Sequence, residues 1–150
     1  MLTITTNYGA EEDKEFSFLV ETPDKKTYGI VFENREDCNR CEFRVHVNNV
    51  DLSKIDLDII RNLDFISIKS LTQSAANDLD FPDMRRRSEF DDDGYFNEAG
   101  FEMKLSGGNI IHILCSNHHN GHYAAKLDYY NEDGLCEFYG NHPSWDYGYL

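Results

Sequence analysis

The stretch CSNHHNGHY, residues 115–123, carries the side chains best suited to chemistry, one cysteine and three histidines. Within it, Cys115 and His118 form a C-x2-H pair, and earlier in the chain Cys38 and Cys41 form a C-x2-C pair. Three thiolates and one imidazole are a tetrahedral ligand set that suits zinc. A zinc site at Cys38, Cys41, Cys115 and His118 is therefore one interpretation, provided that the fold brings the two pairs together.

The same stretch also has a structural interpretation. Asn120 and Gly121 stand between two apolar segments, and both residue types tolerate the positive φ angles of a type I′ turn. The expected structure is then a tight hairpin with exposed histidines beside the turn and Cys115 as a small core residue. As a third interpretation, Cys115 with His112 or His118 could form a nucleophile–base pair.

Other motifs that carry chemistry are incomplete. The histidines lack the H-E-x-x-H pattern of metalloproteases, and the chain has no G-x-S-x-G and no phosphate-binding glycine loop. The segment EFDDDGYFNEAG has the Asp-Gly centre of a calcium loop, but Gly100 stands where the bidentate glutamate belongs. Arg85, Arg86 and Arg87 could bind phosphate, although neighbouring carboxylates compete for them. Apart from zinc, the sequence predicts no cofactor, and it favours a protein that is not an enzyme.

Most of the chain alternates apolar and polar residues with a period of two, which is typical of β-strands. The segments EFSFLVET and TYGIVFE flank a turn at Pro23 and Asp24 and predict a hairpin. The segments CEFRVHVN and LDFISIKS predict two further strands. A turn at Gly107 and Gly108 separates GFEMKLS from NIIHILCS, and HYAAKLDYY and LCEFYG complete the series.

One helix and one long loop interrupt these strands. The segment VDLSKIDLDIIRN has leucines and isoleucines at helical spacing and predicts a short helix capped by Asp51 or Ser53. Residues 71–99 break the alternation and predict a long, mobile insertion loop. Eight or so strands without a βαβ rhythm predict a mainly β fold, a single-domain antiparallel sandwich or roll over residues 1–150.

The charge of the chain predicts its class of partner. There are 28 acidic and 14 basic residues, which give a formal net charge of −14. Residues 88–150 carry 11 acidic and 2 basic groups, whereas residues 38–87 carry 8 of each. Such a field repels phosphate backbones and anionic membranes and attracts basic surfaces. We expect a basic protein partner, no direct contact with nucleic acid and no membrane association.

The sequence also predicts a location. Its N-terminus lacks the basic and apolar regions of a signal peptide, and no segment is apolar enough to span a membrane. Without a secretion signal, the four cysteines are expected to be reduced thiols in a bacterial or host-cell cytoplasm.

Two segments, YGIVFENREDCNRCEFRVHVNNVDLSKI and IIHILCSNHHNGHYAAKLDYY, resemble a group of small uncharacterised proteins of phages and bacteria. The shared features are an apolar strand, an Asp-Cys-rich bend, a Leu-rich turn into a second strand, and a late strand ending in an Asn-Gly-Tyr hairpin. In this chain His122 stands between Gly121 and Tyr123. The resemblance implies a phage or bacterial setting and no particular activity.

Together these features predict a non-enzymatic, inhibitor-like interaction protein. Phage counter-defence proteins and bacterial immunity proteins act in this way, and their carboxylates stand in for a nucleic acid backbone on a basic partner. The predicted partner-binding residues are Asp91, Asp92, Asp93, Glu98, Asp128, Glu132 and Asp133. A zinc-binding or small-ligand-binding module is the alternative function.

Overall fold

A computed structural model of the chain describes residues 2–7, 14–34, 42–51, 54–81, 95–119, 126–131 and 134–136. These residues form two five-stranded antiparallel sheets, named here sheet A and sheet B, which share one hydrophobic core. The predicted mainly β, antiparallel sandwich is therefore confirmed.

The strands of each sheet come from separate parts of the chain. In spatial order, sheet A consists of β1 (Leu2–Asn7), β2 (Lys14–Glu21), β3 (Thr27–Asn34), β9 (Lys126–Asn131) and β10 (Gly134–Cys136). In spatial order, sheet B consists of β5 (Val50–Asp51), β4 (Glu42–Val47), β8 (Asn109–His119), β7 (Tyr95–Leu105) and β6 (Phe65–Ser70). Two short helices, α1 (Leu57–Arg61) and α2 (Gln73–Asn77), flank β6 along the chain.

The core lies between the two sheets, and the alternation along each strand selects the side chains that enter it. The fully buried side chains of this core are Phe16, Phe18, Ile30 and Phe32 of sheet A, and Val45, Phe101, Met103, Ile113 and Cys115 of sheet B. The rings of Phe101 and Tyr129 join the two sheets, because their centroids are 5.3 Å apart. In this article the face of sheet B that points away from this core is called the outer face.

Two of the predicted hairpins are present. Strands β2 and β3 pair up to Glu21 and Thr27, on either side of the turn predicted at Pro23 and Asp24. Strands β7 and β8 pair up to Leu105 and Asn109. The turn between them contains the two predicted glycines, whose φ angles of 73° and 75° favour glycine over other residues.

The predicted hairpin at Asn120 and Gly121 is wrong in its pairing. Strand β8 pairs with β4 and β7 in sheet B, whereas β9 pairs with β3 and β10 in sheet A. The connection between β8 and β9, in which Asn120 and Gly121 lie outside the described residues, therefore crosses from one sheet to the other. An Asn-Gly pair indicates only a local bend. The partners of β8 and β9 depend instead on the core, because the two strands bury their apolar faces from opposite sides of it.

A turn with the φ angles of type I′ occurs instead between β4 and β5. Its two central residues, Asn48 and Asn49, have φ angles of 49° and 63°. Asparagine tolerates this region because its short polar side chain can form local hydrogen bonds. This turn was not predicted from the sequence.

The helices also differ from the prediction in their limits. The N-cap of α1 is Asp56, whose carboxylate accepts a hydrogen bond from the Asp58 amide at 3.0 Å, whereas Asp51 belongs to β5. Ser53 lies outside the described residues. The predicted loop 71–99 contains α2 at its start and the first five residues of β7 at its end. Strand β1 was not predicted.

Candidate functional site

The outer face of sheet B carries a row of ionisable side chains that are in mutual contact. Core-facing residues of β7, such as Phe101 and Met103, alternate with Glu102 and Lys104 on the outer face. The register places His112 of β8 opposite Glu102, and Lys69 of β6 opposite Glu102 on the other side. Three charged or titratable groups thus form one row across three strands.

This row is centred on the Glu102 carboxylate. Its Oε2 atom lies 3.1 Å from Nε2 of His112, and its Oε1 atom lies 3.5 Å from Nζ of Lys69. The side chain of Glu102 is 18% exposed, so water screens it only in part. The hydrogen bond from His112, with a further contribution from Lys69, lowers the pKa of Glu102 below the ordinary glutamate value, although burial opposes this shift.

The row is anchored to the β4–β5 turn through the backbone of His112. The His112 amide donates to the side-chain oxygen of Asn48 at 2.9 Å, and the His112 carbonyl accepts from the Asn48 amide at 2.9 Å. The left-handed turn therefore continues the hydrogen bonding between β4 and β8 beyond Val47. These contacts hold the backbone of His112 against the β4–β5 turn.

A second group of polar side chains lies on the same face and is buried. Glu98 and Ser116 are directly opposite each other and are 3% and 1% exposed. His46 is 3% exposed, and its Nε2 atom lies 4.0 Å from Oδ2 of Asp51. Within the described part of the chain, the Ser116 hydroxyl has no hydrogen-bond partner.

Helix α2 covers the part of the outer face beside this buried group. Ala76 of the helix forms a small apolar cluster with Phe81 and with Leu114 of β8. A Cβ atom at Gly100 would approach the Leu114 side chain to 2.9 Å and the Ala76 Cβ to 3.2 Å, so the helix packs closely on the sheet at this glycine. The outer face is thus divided into a half covered by α2 and an open half that holds Glu102 and His112.

The structure does not bring the predicted partner-binding residues together. Asp91, Asp92, Asp93, Glu132 and Asp133 lie outside the described residues. Asp128 is in β9 of sheet A, where its side chain is 22% exposed and lies 3.6 Å from Nζ of Lys126.

Glu98 was predicted to lie on an exposed acidic face, and the structure corrects this prediction. Its side chain belongs to β7 on the other sheet from Asp128, and it is only 3% exposed. A carboxylate buried to this extent does not meet a docking partner. Glu98 was chosen because it lies in an acidic part of the sequence. The number of acidic residues there gives no information on which side chains of the strand are buried.

The predicted zinc ligands are only partly described. Cys38 and Cys41 lie outside the described residues, as does the side chain of His118, whose backbone pairs with Glu42 at the end of β8. Cys115 is fully buried in the core, and this burial raises the pKa of its thiol well above the ordinary range. Since zinc binds the thiolate, a buried thiol of this kind is a poor zinc ligand. Cys115 lies instead in the core, where the structural interpretation of the sequence placed it. Among the described residues, no group of three or more His, Cys, Asp or Glu side chains is arranged to hold a metal ion.

The row of Glu102, His112 and Lys69 was missed in the sequence. Its only signal is that all three are polar residues in alternating strands, which places them on outward faces. That alternation does not give the register between strands, and the register is what makes these residues neighbours.

Comparison with protein families, with curated proteins and with solved structures finds no match for this chain. The resemblance to phage and bacterial proteins therefore stays a prediction. None of the described helices is both long enough and apolar enough to cross a membrane.

Proposed function

We propose that this protein is a non-enzymatic, acidic interaction protein of the cytoplasm, which inhibits or neutralises a basic partner of the kind that binds nucleic acid. A phage counter-defence protein and a bacterial immunity protein are the two settings in which such an inhibitor acts. The observation that supports the proposal is the charge balance of the chain, with 28 acidic and 14 basic residues on a β-sandwich.

The ion pairs of the described residues leave this net charge unchanged, because each of them joins a cation to a carboxylate. The pairs are Lys25 with Glu21, Arg61 with Asp58, Lys69 with Glu102, and Lys126 with Glu33 and Asp128. Each pair cancels one positive and one negative charge locally. The field that a partner meets at a distance is therefore dominated by the remaining carboxylates.

Part of that acidic excess is visible just after α2. Asp78 and Asp80 are exposed, and neither makes an ion pair within the described part of the chain. In the sequence they are followed by an acidic run that contains Asp91, Asp92 and Asp93. We propose that this run supplies the main contact with the partner. Glu98 is not part of the proposed contact surface, because its side chain is buried.

The proposal is tested with the tagged protein as bait in a bacterial extract. Bound proteins are eluted with a salt gradient, identified by mass spectrometry and challenged with double-stranded DNA as a competitor. We expect a basic, nucleic-acid-binding protein that is released by moderate salt and displaced by DNA, because electrostatic association weakens steeply with ionic strength.

Two triple variants separate a specific acidic site from a general effect of net charge. The test variant is Asp91→Lys, Asp92→Lys, Asp93→Lys. The control is Glu21→Lys, Asp24→Lys, Asp64→Lys, which changes three exposed carboxylates of the described part by the same total charge. Loss of the partner with the test variant alone supports the assigned site.

Three results would count against the proposal. Unchanged binding of the test variant would remove the assigned site, and equal loss with both variants would leave only an unspecific charge effect. Stoichiometric zinc in the purified protein would favour the zinc-binding module instead.

A further inference from the structure

Strand β6 is one edge of sheet B. Among the described residues it pairs only with β7, and a bulge between Phe65 and Ser67 interrupts that pairing. The bulge leaves Ile66 61% exposed. On the other side, β6 contacts sheet A: the Tyr129 hydroxyl donates to the Ile68 carbonyl at 3.3 Å, and the rings of Phe65 and Tyr28 have centroids 5.4 Å apart. Bulged edge strands with few ladder bonds are the parts of a sheet that open most easily.

One carboxylate connects this edge to the middle of the sheet. Glu102 contacts Lys69 of β6 through one oxygen and His112 of β8 through the other, at 3.5 Å and 3.1 Å. Because His112 is in turn bonded through its backbone to Asn48, the connection runs from the edge strand to the β4–β5 turn. Both contacts depend on the same ionised group, so protonation of Glu102 weakens them together.

Other charged or titratable groups on this face come from β4, β5 and β7. Lys104 lies two residues further along β7 and points to the same side. His46 and Asp51, on β4 and β5, contact each other one strand beyond His112. The buried Glu98 lies four residues earlier on β7, beyond Gly100. Helix α2, with the sequence QSAAN, brings no ionisable side chain to this face. Glu102 therefore has His112, Lys69 and Lys104 as its nearest charged or titratable neighbours.

We propose that Glu102 is a pH-dependent clasp that holds edge strand β6 on sheet B and releases it when its carboxylate is protonated. A carboxylate whose pKa is lower in the folded state stabilises the fold above its unfolded-state pKa. That stabilisation disappears as the pH falls through the folded-state value. Release of β6 in acid is the expected direction, and it exposes the backbone edge beside Ile66.

Native-state hydrogen exchange, followed by NMR between about pH 7 and about pH 3, tests this clasp. The amides of β6 are compared with those of β3, a central strand of sheet A, so that local opening is distinguished from global unfolding. In the wild type we expect the protection of β6 to fall roughly twofold to fivefold more than that of β3, the effect of losing the ion pair between Lys69 and Glu102. Glu102→Gln removes this pH dependence, whereas the control Glu33→Gln, at a half-buried glutamate of sheet A, retains it.

Three outcomes overturn the clasp: a parallel loss of protection in β6 and β3, an unchanged pH dependence in Glu102→Gln, or the same change in Glu33→Gln. If Glu102→Gln does not fold, the wild type alone decides. The side-chain carboxyl carbon of Glu102 is then titrated by NMR together with the amides of Lys69 and His112. A common titration midpoint supports the clasp, and independent midpoints refute it.

Discussion

Gly29 of β3 is the position where the fold depends most directly on a missing side chain. Its φ angle is +129°, a region that L side chains rarely adopt. A Cβ atom placed there would lie 1.8 Å from the carbonyl oxygen of Phe18 on the neighbouring strand β2. The obstacle is backbone rather than a flexible side chain, so it cannot move away without separating two strands. We therefore predict that Gly29→Ala severely destabilises the protein.

The size of the effect follows from two causes. Leaving the preferred backbone region costs an alanine about 1–2 kcal/mol. Moving β3 away from β2 also weakens ladder hydrogen bonds, each worth about 1 kcal/mol, and disturbs the packing of the fully buried Phe18 and Ile30. The total is at least about 3 kcal/mol, a large part of the ~5–15 kcal/mol that stabilises a typical domain.

Urea unfolding followed by circular dichroism measures this loss. The matched control is Gly108→Ala, because Gly108 also has a positive φ angle, +75°, but no atom lies within 4 Å of its Cβ position. Its cost is expected to be only about 1–2 kcal/mol, the backbone effect alone. A Gly29→Ala variant no less stable than Gly108→Ala would refute the close approach of β2 and β3.

Two further predictions concern buried polar groups of β8. The thiol of Cys115 should not react with iodoacetamide in the native protein and should react after unfolding in urea, because burial raises its pKa and blocks access. Peptide mapping by mass spectrometry reports this, and rapid native labelling of Cys115 would show that its burial is wrong. Ser116→Ala should leave the free energy of unfolding unchanged or raised by up to about 1 kcal/mol, since no hydrogen bond to a described residue is lost. A thermal unfolding midpoint that drops by several degrees would indicate that the hydroxyl has a partner.

The alternation of residues predicted most strands correctly, because burial on one face of a sheet imposes a period of two wherever it occurs. It also predicted the β2–β3 and β7–β8 hairpins, whose turns are marked by Pro23 and by Gly107. These features depend on neighbours along the chain. The helix within the predicted loop was missed because its five residues, QSAAN, have no apolar periodicity of their own.

Features that depend on distant parts of the chain could not be predicted in this way. Asn120 and Gly121 indicated a bend, but the partners of β8 and β9 were decided by the closing of two sheets over one core. The burial of Glu98 and the contact between Glu102 and His112 follow from the same long-range pairing. Burial of Cys115, in contrast, could be anticipated from the apolar run in which it stands.

The crossing from β8 to β9 has a consequence for how the chain folds. Sheet A joins β3 to β9, so Phe32 pairs with Leu127 after the whole of sheet B has intervened in the sequence. Bringing the ends of so long a segment together costs chain entropy before the stabilising contacts can form. Folds with many such long-range contacts form in milliseconds to seconds rather than microseconds. During synthesis on a ribosome, β3 lacks its second neighbour in sheet A until β9 has been made. During that time the backbone edge of β3 that pairs with β9 is open to other chains.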